Sequence, residues 1–180
     1  MSEPLKMEAA LLLLIDMQAV FIRAVSEGDR VRSRCQFAVA SAAGLGIPVA
    51  FTEQVPAKLG TTDPSLLSLV PSASVHPKDI FSARGAFAGQ PGLEHLLLCG
   101  VETSVCVYQT AVDALQAGLS VTILCDCVGA RRPDDARACL ESLARAGAHV
   151  LPAETVFYSI LGGTSHPFFK AYTQLVKKHG

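Results

Sequence analysis

Tryptophan is absent, aromatic residues make up only 6% of the chain, charged residues only 17%, and the formal net charge is −1. A chain so close to neutral has no basic field with which to hold a nucleic-acid backbone or an anionic membrane, so neither partner is expected. There is also no apolar run of membrane-spanning length near the start. The first one, EAALLLLI from Glu8 to Ile15, ends at Asp16, and the residues before it lack the pattern of a secretion signal. A cytoplasmic address is expected, and with it free thiols rather than disulfides at Cys35, Cys99, Cys106, Cys125, Cys127 and Cys139. Glycine is missing where a dinucleotide-binding turn would need it. After the first apolar run the chain reads Asp16-Met17-Gln18-Ala19-Val20-Phe21, which excludes that fingerprint.

What is present is apolar: half of the 180 residues are hydrophobic. A chain of this length suits one domain, residues 1–180, and surplus apolar surface on such a domain usually ends in a subunit interface, so a homo-oligomer is expected. Short apolar runs of strand length recur at Glu8–Ile15, Ile47–Thr52, Glu94–Cys99, Leu119–Leu124 and Ala148–Leu151, with a further short strand at Ser74–His76. Between them, Asp29–Gly44, Ser104–Gly118 and Pro133–Gly147 have helical length and period, each closing on a glycine suited to a left-handed cap. The alternation predicts a parallel sheet with helices on both faces and ligands beyond the carboxyl ends of the strands. The loop-rich stretch Gln54–Gly92 should shape a site, and His166–Gly180 should form a terminal helix.

Three residues could carry chemistry. Cys106 follows the apolar run LLLCG near the start of a helix, where the dipole favours thiolate and free backbone N–H groups can hold an oxyanion. Position alone does not separate this from a packing thiol. Asp16 ends the most apolar run, where a carboxylate either caps a helix or works at the ligand-binding edge. Lys78 lies in the loop-rich middle, where lysines are ordinarily solvated. Thr103 and Ser104 read as caps of the Cys106 helix. Cys125 and Cys127 form a C-x-C without the further ligands that zinc needs, and His76 reads as a surface residue.

Taken in order, LLLLIDMQ with Asp16, KDIFSA with Lys78 and CGVETSVCV with Cys106 resemble the three-part signature of the isochorismatase-like (cysteine hydrolase) superfamily, across about Leu11 to His149. The resemblance implies a three-layer α/β/α fold with a six-stranded parallel sheet. It also implies an Asp16–Lys78–Cys106 triad and a cis peptide between Val101 and Glu102. The activity implied is cysteine-dependent hydrolysis of a small amide, carbamoyl or related C–N substrate through a thioester. On this reading Lys78 lowers the Cys106 pKa, Asp16 accepts its proton, and N–H groups near Glu102 and Cys106 hold the oxyanion.

The chain departs from two branches of that superfamily. Nicotinamidases hold a metal through an Asp and histidines after the second strand, where this chain reads Thr52-Glu53-Gln54-Val55-Pro56. No metal and no other cofactor is therefore expected. Enzymes that cleave the isochorismate vinyl ether lack the nucleophilic cysteine, which is present here as Cys106. Phe21, Glu53, Gln54, Phe81, Phe87 and Tyr108 are candidate pocket residues, and Tyr158 a further specificity position, with core packing as the competing reading. The alternative function is a non-hydrolytic binding or redox-sensing protein on the same scaffold.

Overall fold

The computed structural model describes residues 9–179. Six parallel strands form one sheet: β1 (Ala10–Ile15), β2 (Val49–Gln54), β3 (Ser74–Lys78), β4 (His95–Val101), β5 (Ser120–Gly129) and β6 (His149–Leu151), in the order β3-β2-β1-β4-β5-β6. The three-layer α/β/α arrangement is the one the resemblance implied. β1 is buried along its whole length, which explains its unbroken apolar sequence: alternate residues feed two different cores. Leu12 and Leu14 join Phe37, Phe157 and Tyr172 beneath helices α2 (Gly28–Leu45), α7 (Ala153–Leu161) and α8 (Phe169–His179). Leu11, Leu13 and Ile15 face the other way, toward Ala111 and Ala114 of α5 (Tyr108–Gln116) and Leu143 of α6 (Pro133–Arg145).

The chain winds outward from β1 through β2 to β3, returns to β4 on the other side of β1, and winds outward again. The crevice beyond the carboxyl ends of β1 and β4 is thus where the winding reverses, the place an open α/β sheet offers a ligand. Asp16 lies at one wall of that crevice and the segment carrying Cys106 at the other. Gly100 makes this approach possible. It pairs with Ile15 at φ +112°, and a Cβ there would lie 2.2 Å from the Ile15 carbonyl oxygen.

Several boundaries differ from the sequence expectation. α2 ends on Gly46, not Gly44, because Gly44 is needed as a flat spot: the Phe168 ring lies 2.0 Å from where its Cβ would be. The Cys106 segment starts as a π-helical turn, Thr103–Val107, before α5 continues it. β5 runs past Leu124 to Gly129, and a register shift opposite Leu98–Gly100 lets it advance five residues where β4 advances two. The bulged segment places Asp126 against Arg34 of α2, at 2.7 and 2.9 Å, and lets its other oxygen accept from the Ala153 N–H at the start of α7. Neither α7 nor the short helices α1 (Ala19–Ala24), α3 (Pro56–Leu59) and α4 (Pro64–Leu67) were expected. Among the described residues no helix is long and apolar enough to cross a membrane.

Gly100→Ala combines backbone strain with overlap against fixed backbone, and should cost roughly 2–5 kcal/mol. Gly44→Ala meets only a ring that can swing aside and should cost less. Thermal melts of the two variants check this ordering; a Gly100→Ala protein melting with the wild type would remove the close-approach argument.

Candidate active site

The site is assembled from strand ends. β1 ends at Ile15, and Asp16 then adopts a left-handed conformation at φ 51°, which a short polar side chain tolerates. β2 ends with Gln54, and Val55 follows at φ 39°, a left-handed position that is unusual for a β-branched residue. Its N–H donates to the Lys78 carbonyl at 2.8 Å, tying the end of β2 to the end of β3. Gln18 is fully buried and works as a clamp: its side-chain amide donates to the carbonyls of Gln54 and Gly60, while its Oε1 accepts from the Gln54 N–H at 2.7 Å.

The three residues singled out in the sequence converge. Lys78 Nζ lies 2.7 Å from Asp16 Oδ2, both side chains nearly inaccessible to solvent. Thr52 Oγ1 donates to Asp16 Oδ1 at 2.7 Å. Lys78 also donates to Gln54 Oε1 and to the carbonyls of Ile80 and Phe81, so every ammonium proton has a destination. Cys106 lines the same cavity as Asp16 and Glu102, and its thiol lies within the electrostatic reach of the Asp16 carboxylate, the Lys78 ammonium and the Glu102 backbone. The peptide between Val101 and Glu102 is cis, as the resemblance implied.

Lys78 acts on Cys106 in the direction expected but is outweighed. Burial pushes the Cys106 thiol up, and the Asp16 carboxylate adds to that push. Lys78 and the Glu102 backbone pull it down, and the net result is a group pushed up to about 12. Desolvation and the neighbouring carboxylate outweigh the ammonium, so Cys106 rests as a thiol beside a carboxylate and not as a lysine-stabilised thiolate.

Asp16, Gln54, Cys106 and Glu102 line a cavity of about 340 Å³. One wall is Val20, Phe21, Ala24 and Val25, supplied by α1 and the residue after it; Phe81, Val101 and Val105 close the other sides, and Arg131 sits at the mouth. Phe21, Gln54 and Phe81 thus stand where the sequence suggested. Glu53, Phe87 and Tyr108 do not. Glu53 turns away and accepts the Thr62 N–H at 2.7 Å, Phe87 is buried in the α5 core, and the Tyr108 hydroxyl meets Ser142 Oγ on α6. Tyr158 stacks edge-on against Tyr172 at 4.9 Å and does not line the cavity. Thr103 is no cap either: its hydroxyl donates to the Gly129 carbonyl, bracing β5 against the turn.

Thr52, Gln18, the α1 wall residues other than Phe21, and Arg131 were not identified from sequence. Gln18 stood inside the LLLLIDMQ segment, but nothing local marked it as a clamp. Arg131 comes 25 residues after Cys106, and only the pairing of β4 with β5 brings it to the same cavity.

Comparison with known proteins places this geometry. The isochorismatase domain matches residues 10–155. Isochorismatase domain-containing protein 2 of Bos taurus is 33% identical over 172 residues, 94% of this chain and 84% of the bovine protein. Isochorismatase domain-containing protein 1 of Salmo salar is 35% identical over 167 residues, 90% of this chain; the chain spans only 59% of the salmon protein's length. Among solved structures, that of a MAR1 ribonuclease from Caenorhabditis elegans has a TM-score of 0.89 at 27% identity, covering 97% of this chain and 93% of the worm chain. With the domain matched over most of its length and a bovine relative aligned nearly throughout, the chain belongs to the isochorismatase domain family.

Proposed function

We propose that the protein is a cysteine hydrolase that cleaves a small amide, carbamoyl or related C–N substrate through a thioester on Cys106. The observation that carries this reading is the meeting of Cys106 and Asp16 at one largely apolar cavity, with the Lys78 ammonium paired to Asp16 behind it. A thiol beside a carboxylate can lose its proton as its sulfur attacks. The S–C bond forms, the carbonyl electrons move to oxygen, and the proton passes to Asp16. Backbone N–H groups at Glu102 and Cys106 hold the oxyanion. Collapse breaks the C–N bond and the departing nitrogen takes the proton from Asp16. Water then attacks the thioester, giving its proton back through Asp16 to sulfur. Lys78 holds the Asp16 side chain in place throughout.

Composition and geometry weigh against RNA as substrate, the activity named for the worm protein. Among the cavity-lining residues Arg131 is the one cation, and a single guanidinium on a near-neutral chain provides no track for a run of phosphates. A redox-sensing role is disfavoured by a thiol held protonated, since oxidation follows thiolate character. Six free cysteines suit a reducing, cytoplasmic compartment. A homo-oligomer remains part of this reading: Val75, Ile80 and Phe81 leave an exposed apolar strip along β3 and beside the cavity. Sedimentation at micromolar concentration should show more than one subunit, and a pure monomer would remove this element.

Ammonia or amine release from a panel of small amides should be abolished by Cys106→Ala and fall roughly 10³-fold or more in Asp16→Asn. Mass spectrometry of quenched wild type should find an acyl group on Cys106; turnover by Cys106→Ala at the wild-type rate would end the hydrolase reading.

Alkylation has a signed expectation. Wild-type Cys106 should gain reactivity up to the highest pH the fold tolerates. Asp16→Asn removes the anion that pushes the thiol up, so alkylation near pH 8 should speed up. Lys78→Ala removes the opposing charge and should slow it. Slower alkylation in Asp16→Asn would contradict the assignment of causes.

A further inference from the structure

Arg131 enters the cavity with its polar edge unspent. Glu102 fixes it twice, accepting the Arg131 backbone N–H at 2.9 Å and the side-chain Nε–H at 2.7 Å. Among the described residues, neither terminal nitrogen of this guanidinium has a hydrogen-bond partner. The edge left over is the fork that matches a carboxylate, held in a set orientation before any ligand arrives. The Arg131 side chain is exposed and sits at the mouth, while Cys106 and Asp16 are buried at the base.

The other charges of the cavity are already matched, Asp16 by Lys78 and Glu102 by Arg131. A cationic ligand would find no free carboxylate, whereas an anionic one finds the terminal N–H groups of Arg131. Between mouth and base the walls are aliphatic and aromatic. We propose that Arg131 is the specificity residue of this site and that the substrate is a small anionic amide, with a carboxylate separated by a short apolar body from the C–N bond presented to Cys106. This rests on the hydrolase reading above and adds the substrate's charge and polarity.

The test uses two alkylating probes that differ only in charge, bromoacetylglycine and its neutral counterpart bromoacetylglycinamide. Their rates at Cys106 are mapped by mass spectrometry and expressed as a ratio, normalised to the same ratio for free glutathione. Wild type should favour the anionic probe by about tenfold, with the preference shrinking in molar salt. Arg131→Met should bring the ratio to the glutathione value, and Arg131→Lys should keep part of it. If Arg131→Met does not fold, Arg131→Gln takes its place. A wild-type ratio equal to that of glutathione, or one unchanged in the Met variant, overturns the proposal. Failure of the hydrolase reading looks different: anion preference at Cys106 would persist while no carboxylated or neutral amide is turned over.

Discussion

The structure is organised around one buried negative charge. Asp16 is almost completely removed from solvent, and a carboxylate in that position is costly unless it is paired and hydrogen-bonded. Its neighbours meet that requirement from three directions: Lys78 from β3, Thr52 from β2, and the Cys106 thiol from beyond β4. Each of these groups is then committed to Asp16, so the requirement fixes the relative position of four strand ends. The left-handed residues Asp16 and Val55, the Gln18 clamp and the close approach of Gly100 to Ile15 are local conformations that the packed surroundings hold in place.

The same charge bears on the state of the Cys106 thiol. In water a thiol near a helix start and a lysine would lean toward thiolate. Here the sulfur is buried beside an anion, and these two effects win. On the proposed mechanism, a protonated thiol beside a carboxylate resists oxidation yet can attack a carbonyl, because proton loss and attack occur together. The five other cysteines serve packing or lie apart from the cavity. Cys35 and Cys127, for instance, donate to backbone carbonyls between α2 and β5.

Much of the fold could be read from residue order. Continuous apolar runs marked strands buried on both faces, and glycines after Gln116 and Arg145 marked helix ends, where Gly118 and Gly147 have the left-handed φ expected. The helices α1 and α7 escaped notice because their stability comes from contacts: Ile22 beneath α1 and Ala153, Val156 and Phe157 of α7 pack into the core built by α2 and α8. Gly44 misled for a related reason. As a helix end it fitted local rules, but its lack of a side chain serves Phe168, more than a hundred residues away.

The sequence by itself determined the alternation of strands and helices, the near-neutral charge and the identity of the Asp16, Lys78 and Cys106 segments, since these depend on side-chain type and short-range spacing. Only the tertiary structure decided which side chains face the cavity and what charge they carry there. Glu53 and Tyr108 turned elsewhere because alternate residues of a strand, or neighbouring faces of a helix, point to different layers. Arg131 entered because β4 and β5 are adjacent. The thiol's proton stayed because desolvation and through-space charge are set by distance in the folded chain, a quantity that sequence separation does not contain.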